Sequence, residues 1–150
     1  MKLSSRGRYG LKAMVDLAIE YGSGPVSAAV LAGRQGISLA YLEQLIAALR
    51  KAKLIISNRG VQGGYVLSRP PQEITVGEVL RVLEGNTDLV DCVGQDARRT
   101  CENACTCSAR PLWLKLQSRI NAVLNETTIL DLADDNIEQM RRLDEEAGLS

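Results

Sequence analysis

The sequence predicts a mainly α-helical protein with one small β-hairpin. Apolar residues recur at spacings of three and four along most of the 150 residues, which is the period of amphipathic helices. Two short strand-like runs, 54–57 and 65–68, flank a tip that contains three glycines, and this pattern is typical of a hairpin. A chain of this length can bury one sizeable core, whereas two full domains would be tight.

A helix-turn-helix is predicted at about 28–51, after a first helix that Gly22, Gly24 and Pro25 stop. Ala32 supplies the small residue where the two helices cross, and Gly36 supplies the positive φ of the turn. The second helix is expected to have a buried apolar stripe of Leu42, Leu45, Ile46 and Leu49. Ile37, which lies before this helix, is expected to face inward as well. Helical hairpins in ordinary bundles also have glycine turns, so the motif alone leaves that alternative open.

The outer face of the second helix has the composition of a DNA-reading surface. Ser38 is its predicted N-cap. Its outward residues are small or polar, as expected for a helix that lies in a major groove. The candidate DNA-contacting residues of this helix are Ser38, Ala40, Tyr41, Glu43 and Gln44, with Ala47 and Ala48 beside them.

The hairpin that follows completes a winged helix-turn-helix in residues 1–70, with the wing at about 54–68. Arg59 stands at the wing tip beside Gly60, where its guanidinium could enter a narrow minor groove. Arg59 and Gly60 therefore join the candidate DNA-contacting residues. A solvated turn arginine is the alternative interpretation.

Charge is divided unevenly along the chain. The formal net charge is zero, but residues 1–69 carry ten Lys or Arg against three Asp or Glu, and residues 70–150 carry eight against fifteen. The two parts are therefore +7 and −7. A basic part suits a polyanion such as DNA, since Lys and Arg near phosphates release condensed counterions. Charge alone would also fit chance segregation of solvated side chains.

Residues 71–136 are predicted to pack with the winged part as one compact unit. Thr75 and Glu78 have the spacing of a capping box at the start of a core helix. Further on, a helix at about 109–125 has an apolar stripe wider than one small core needs. We expect it to pair with a twin helix in a homodimer; packing within the chain is the alternative.

The last part of the chain is predicted to be less ordered. Thr128 caps a brief helix at 129–134. The acidic tail 137–150 has only a weak helical stripe, and we expect it to fray.

Four cysteines lie within sixteen residues, and the chain has no histidine. They fall in a loop at 92–107 that is rich in glycine, aspartate and asparagine. Charges interrupt the first 21 residues, so no signal peptide or membrane span is expected there, and the protein is expected to be cytoplasmic. Disulfides are rare in a reducing compartment, which favours a metal or iron-sulfur centre. The candidate ligands are Cys92, Cys101, Cys107 and, as an open question, Cys105.

These residues together resemble a family of winged-helix transcription factors that includes the iron-sulfur cluster regulator IscR, with nitric-oxide-sensing and cysteine-metabolism relatives. The resemblance runs from Met1 to about Asn136. It is carried by four motifs, Leu3-Ser4-Ser5-Arg6-Gly7-Arg8-Tyr9-Gly10, Gln35-Gly36-Ile37-Ser38 into Tyr41-Leu42-Glu43-Gln44-Leu45, Arg59-Gly60 with Gly63-Gly64-Tyr65, and Val76-Gly77-Glu78-Val79.

The resemblance implies a homodimer with one iron-sulfur cluster per subunit. It implies that Glu43 and Gln44 read bases, that Arg59 enters the minor groove, and that cluster ligands are Cys92, Cys101 and Cys107. It also implies a regulator, expected to be a repressor, that binds promoter DNA of iron-sulfur assembly genes. Nitric oxide, redox state or cysteine supply are alternative signals.

One departure concerns the fourth cluster ligand. Members of this family with a [2Fe-2S] cluster often have a histidine three residues after the third cysteine, and Arg110 stands there in this chain. Cys105 is the simplest replacement, although a carboxylate, a backbone or solvent atom, a group of the partner subunit, or a spare thiol at Cys105 all stay open. A [2Fe-2S] cluster is preferred to [4Fe-4S].

Two alternatives from other classes stand beside a DNA-binding regulator. Four thiolates could hold structural zinc, although paired Cys-x-x-Cys knuckles are absent. A thiol oxidoreductase or a small iron-sulfur electron carrier is the other. Because no nucleophile-and-base pair or phosphate-binding loop can be placed, we expect no enzyme, no small-molecule substrate and no membrane partner.

Overall fold

The computed structural model is mainly helical with a two-stranded antiparallel hairpin, as predicted. The structure describes residues 1–94, 101–103 and 105–148. Short 3₁₀ turns cover Pro71–Glu73 and Asp91–Val93. The longer elements are α1 (Ser5–Ile19), α2 (Ala28–Gln35), α3 (Leu39–Lys51), β1 (Ile55–Asn58), β2 (Gly64–Leu67), α4 (Val76–Glu84), α5 (Arg110–Glu126) and α6 (Ile129–Gly148).

The turn between α2 and α3 has the features that the helix-turn-helix pattern predicts. Gly36 ends α2 with φ of 65°, in the left-handed region that glycine occupies without steric cost. Ser38 then caps α3, because its Oγ accepts a hydrogen bond from the backbone N–H of Tyr41 at 3.2 Å. The side-chain amide of Gln35 donates to Asp16 of α1, which fastens the turn to the first helix.

A single hydrophobic core joins the helices. α1 packs against both α4 and α6, and α3 packs against α1 and α4. All four predicted stripe residues of α3 are buried. The largest fully buried side chains are Met14, Leu31, Leu42, Leu45, Leu49, Ile55, Ile74, Val79, Leu80 and Ile129.

The hairpin lies one residue away from the predicted strand limits. Ile55 pairs with Leu67 and Asn58 with Gly64, whereas we predicted strands at 54–57 and 65–68. Val26, which lies before α2, exchanges two backbone hydrogen bonds with Tyr65 at 2.8 and 3.0 Å, so it also pairs with β2. A Cβ on Gly64 would lie 2.4 Å from the Val26 carbonyl oxygen, so this approach requires glycine.

The N-terminus of α4 is the junction between the wing and the C-terminal helices. The predicted capping box is present, with Thr75 and Glu78 each bonding the backbone of the other. Thr75 also forms an isolated antiparallel bridge with Thr128. The side chain of Glu78 accepts a hydrogen bond from Arg69 at 2.5 Å, so one carboxylate serves both the helix cap and the base of the wing.

The last helix is longer than the sequence pattern led us to predict. Thr128 caps it as expected, since its Oγ1 accepts from the N–H of Asp131 at 3.1 Å. The predicted end at 134 is wrong, because α6 continues to Gly148 and the acidic tail is helical that far. Arg141 with Glu145 and Arg142 with Glu138 form ion pairs at i,i+4 spacing, which support an exposed helix.

None of the helices in the described ranges combines the length and the apolar character that a bilayer crossing demands.

We predict that Glu78→Gln destabilises the fold above about pH 4.5 and has less effect in acid. Burial alone would raise the pKa of Glu78, but hydrogen bonds from the Thr75 backbone and from Arg69, with the Arg69 charge, outweigh it and hold the pKa below its ordinary value. A lowered pKa stabilises the fold above the unfolded-state pKa and loses that contribution as pH falls through the folded-state pKa.

Thermal unfolding of both proteins between pH 3 and pH 7 measures this effect. We expect Glu78→Gln to lose about 0.5 to 1 kcal/mol near neutral pH, a modest value because the carboxylate is partly solvent-screened. Glu73→Gln is the matched control, since its carboxylate makes no hydrogen bond within the described part of the chain. A Glu78→Gln deficit that stays constant down to pH 3 would contradict the prediction.

Candidate nucleic-acid interface and cysteine segment

The outward face of α3 is free of the core for two helical turns. Ala40, Glu43, Gln44 and Ala47 are all exposed and follow one another at spacings of three, one and three. They share one side of the helix, because the opposite side is held in the core. The structure therefore brings these predicted residues together on one accessible surface, which we call the α3 face.

The first turn of α3 adds a second kind of contact. Its cap residue Ser38 is exposed, and the first N–H groups of a helix carry partial positive charge. Helix N-termini of this kind bind phosphate groups well. The N-terminus of α3 can thus hold a DNA backbone while the α3 face lies along base edges.

Tyr41 links the α3 face to the first helix. Its ring meets that of Tyr9 edge to face, with centroids 6.3 Å apart and planes at 84°. The ammonium of Lys12 lies 5.4 Å from the centre of the Tyr9 ring, a cation–π contact. Tyr9 and Lys12 were not among our predicted site residues, although Tyr9 belongs to the N-terminal motif that we had noted.

The wing presents its arginine without constraint. Arg59 and Gly60 are exposed at the tip, and within the described residues the Arg59 guanidinium has no hydrogen bond or ion pair. The base of the wing is held firmly by contrast, since the hydroxyl of Ser68 donates to the Lys53 carbonyl at 2.7 Å. The wing is therefore a fixed hairpin with a free cation at its end.

The basic side chains of residues 1–69 are mostly exposed. Nine of the ten cations are exposed, and Arg69 is half-buried. The exposed set is Lys2, Arg6, Arg8, Lys12, Arg34, Arg50, Lys51, Lys53 and Arg59. Exposed positive charge in the same part of the chain as the α3 face and the wing suits contact with a phosphate backbone.

The four cysteines are free thiols in segments that adjoin the start of α5. Cys105 is exposed, and the other three are half-buried. Cys92 lies in the turn Asp91–Val93, and its carbonyl accepts a hydrogen bond from Arg110 Nε at 3.4 Å. Cys107 precedes α5, and its carbonyl accepts from the Arg110 backbone N–H at 3.3 Å. Arg110 thus bonds to both the first and the last cysteine of the loop.

The donor types in this segment suit a thiolate-bound centre, but their placement does not form a closed site. Four thiolates without histidine match the chemistry of iron-sulfur or zinc binding. Among residues 1–94, 101–103 and 105–148, no group of three or more Cys, His, Asp or Glu side chains has a metal-holding arrangement. Residues 95–100 and 104, which belong to the predicted loop, lie outside the described residues.

A buried amide supports the segment from α5. Gln117 is 5% exposed, although it lies in a helix whose other described side chains are at least partly exposed. Its Oε1 accepts from the Leu89 backbone N–H at 2.5 Å, and its Nε2 donates to the Thr87 carbonyl at 3.4 Å. Gln117 was not among the predicted site residues, although it stands at helical spacing from the apolar residues Trp113, Ile120 and Leu124.

The opposite side of α5 is apolar and uncovered. Leu112, Leu116 and Val123 are 52%, 40% and 63% exposed. They follow at helical spacing, and we call them the α5 outer face. They belong to the stripe that we predicted to meet a twin helix, and they stay exposed within the described part of the chain.

Comparison with known proteins gives a family for this arrangement. The family model described as Rrf2, iron-dependent transcriptional regulator, matches residues 3–135. The HTH-type transcriptional regulator IscR of Aliivibrio salmonicida is 43% identical over 136 residues, which cover 91% of this chain and 79% of that protein.

Two solved structures share both sequence and fold with the chain. IscR of T. potens is 43% identical, has a TM-score of 0.73 and is matched over 91% of this chain and 88% of its own. CymR, the global cysteine regulator of B. subtilis, is 40% identical, has a TM-score of 0.74 and is matched over 89% and 97%. These similarities confirm the winged-helix fold and the predicted resemblance, and the chain belongs to the Rrf2 family of transcriptional regulators.

Proposed function

We propose that the chain is a homodimeric, DNA-binding transcriptional repressor whose grip on promoter DNA depends on an iron-sulfur cluster. The observation that carries the DNA-binding part is the α3 face, which exposes small and polar side chains beside a wing with a free Arg59. Family membership supports the same role, because the relatives are transcriptional regulators and not enzymes.

On DNA, the α3 face would enter the major groove. Gln44 can bond adenine through its N6 and N7 atoms, and the carboxylate of Glu43 can accept from the amino group of cytosine. Ala40 leaves room for the helix to approach a thymine methyl group. Lys12 and the N-terminus of α3 would bind flanking phosphates, which position the helix without reading sequence.

The wing would read the shape of the minor groove. A narrow A·T-rich groove concentrates negative potential, and an inserted guanidinium is attracted to it. Arg59 can reach such a groove because no hydrogen bond or ion pair in the described structure restrains it, and Gly60 beside it adds no side chain that would block the approach.

A homodimer would present two such readers. The α5 outer face is apolar and uncovered, which supports a subunit contact. In a symmetric dimer the same surface is used by both copies. Two α3 helices would then address successive major grooves at a spacing of roughly 34 Å.

The cysteines would hold the cluster, with Cys92, Cys101 and Cys107 as ligands and Cys105 as the simplest fourth. A [2Fe-2S] cluster is preferred to [4Fe-4S]. When bound, such a cluster supplies a centre whose stability depends on iron, oxygen and nitric oxide, and metal binding contributes ordering free energy to the loop. Since the thiols do not converge in the described residues, the loop would rearrange on loading.

A chain of contacts in the protein could carry that rearrangement to the DNA-binding part. Arg110 joins the cysteine loop to α5. At the far end of α5, Asn125 accepts a hydrogen bond from Arg81 of α4 at 3.1 Å. Glu78, in the first turn of α4, accepts a hydrogen bond from Arg69 at the base of the wing. A shift of α5 would therefore be felt at both ends of α4 and at the wing.

The genes under control are proposed to be those of iron-sulfur cluster assembly, since several relatives carry the name IscR. A cysteine-responsive regulator is the second candidate, because one similar structure is titled a global cysteine regulator. The four clustered cysteines favour the iron-sulfur signal. Measuring the affinity of the protein for promoter DNA after iron loading and, separately, with cysteine precursors present distinguishes the two signals.

We predict that Arg59→Ala weakens binding by about tenfold on duplexes with an A·T-rich centre and much less on G·C-rich ones. Fluorescence anisotropy on duplexes selected from a random-sequence pool measures both affinities. Arg34→Ala is the control, since this exposed arginine is paired with Glu20 at 2.9 Å. Equal weakening on every sequence would reduce Arg59 to a phosphate contact.

We predict that Cys92→Ala abolishes both visible cluster absorption and the effect of iron loading on promoter affinity. The reason is that this variant keeps only three cysteines, and the chain has no histidine that could supply the missing ligand. Proteins purified without oxygen are compared by absorption spectrum, iron and sulfide content and anisotropy, with Cys105→Ala alongside to test the fourth ligand. A Cys92→Ala protein that keeps its colour and its iron response refutes this part of the proposal.

A further inference from the structure

The C-terminal half of α6 has an apolar face without a partner in the described part of the chain. Ile129 and Ala133 are 0% and 2% exposed, whereas Ile137, Met140 and Leu143 are 52%, 54% and 53% exposed. The three later residues follow Ala133 at helical spacing, so the face that begins in the core continues beyond it. We call Ile137, Met140 and Leu143 the α6 stripe.

The α6 stripe lies beyond the part of the chain shared with the family. The family match ends at residue 135, two residues before Ile137. The predicted apolar contact of α5, by contrast, lies within the matched part. The family match therefore does not cover the α6 stripe.

A helix such as this needs an external partner to be stable. Helical stability in proteins comes mostly from packing of an amphipathic face, not from intrinsic propensity. In the two i,i+4 ion pairs on α6, three of the four side chains are more than half exposed. Such exposed pairs contribute little to the stability of the helix. An uncovered face of three large apolar side chains is consequently expected to contact another surface.

The net charges of α5 and α6 indicate which surface the α6 stripe contacts. Ile129–Gly148 carries seven Asp or Glu and two Arg, and Arg110–Glu126 carries three Lys or Arg and one Glu. The net charges are −5 for α6 and +2 for α5. Two α6 helices side by side would repel each other, whereas α5 and α6 attract.

Both helices carry charges that have no ion pair among the described residues. Both arginines of α6 are already bound within the helix, which leaves Asp144 and Glu146 without an ion pair among the described residues. On α5, Lys115 and Arg119 flank Leu112 and Leu116, and within the same residues neither cation has an ion pair. The N-terminal part of the α5 outer face is thus an apolar strip beside free cations.

We propose that the α6 stripe packs on the N-terminal part of the α5 outer face of a second copy of this chain. This inference rests on the homodimer of the proposed function and adds a second contact to it. The twin α5 helices would meet near Val123, in the stretch 120–126 that has no basic residue, and each α6 would cover Leu112 and Leu116 of the partner. A twofold axis makes the two α5–α6 contacts equivalent.

Sedimentation equilibrium of the full chain and its variants tests the contact. Met140→Glu places a charge in the α6 stripe, and we expect it to weaken dimerisation by about tenfold or more. Val30→Glu is the matched control, because Val30 is similarly exposed at 46% but lies on α2. Circular dichroism checks that each variant is folded; if Met140→Glu is not, Ile137→Ser and the charge variants below decide.

Charge reversal tests which helix of the second copy the α6 stripe contacts. Lys115→Glu with Arg119→Glu should weaken the dimer, Asp144→Lys with Glu146→Lys should weaken it too, and all four together should restore it to within about threefold of the unmodified chain. If Asp144→Lys with Glu146→Lys instead tightens the dimer, α6 packs on its own twin and the proposal is wrong.

The outcomes separate this inference from the proposed function. If Met140→Glu and the charge variants leave dimerisation unchanged, the α6 contact is wrong. The DNA-binding homodimer of the proposed function is not contradicted by that result. An unmodified chain that is monomeric at micromolar concentration, with and without duplex DNA, overturns the homodimer and this contact together.

Discussion

The burial of one side of α3 is the constraint on which the rest of this structure depends. Leu42, Leu45 and Leu49 are each 0% exposed, and burial of such side chains stabilises the fold by about 1.5 to 3 kcal/mol apiece. Because one side of α3 is buried in this way, its remaining residues face away from the core. Glu43 and Gln44 are therefore accessible because the leucines on either side of them, Leu42 and Leu45, are buried.

The same core ties the DNA-reading part to the helices that follow the wing. Ile129 of α6 is fully buried with the α3 leucines, and the backbone of Thr75 at the start of α4 is bridged to Thr128 at the start of α6. Glu78 connects this junction to Arg69 beneath the wing. The winged part and the helices α4 and α6 therefore belong to one packed framework.

Much of the fold could be predicted because it depends on interactions between residues that are close together in the sequence. The glycine at 36, the cap at Ser38 and the Thr75 capping box each need only neighbours within a few residues. The strand limits and the buried Gln117 depended on contacts with distant residues, which no local pattern contains. The length of α6 was missed because its many acids masked an apolar stripe of only three residues, and the arrangement of the cysteines depends on a loop without periodicity.

Binding to duplex DNA across a range of salt concentrations tests the central claim most directly, using sequences selected from a random pool. If the +7 part and the α3 face grip the phosphate backbone and the major groove, the logarithm of the affinity should fall steeply and linearly with the logarithm of salt concentration. Undetectable binding at low salt, or an affinity that salt does not change, would contradict the assignment of this chain as a DNA reader.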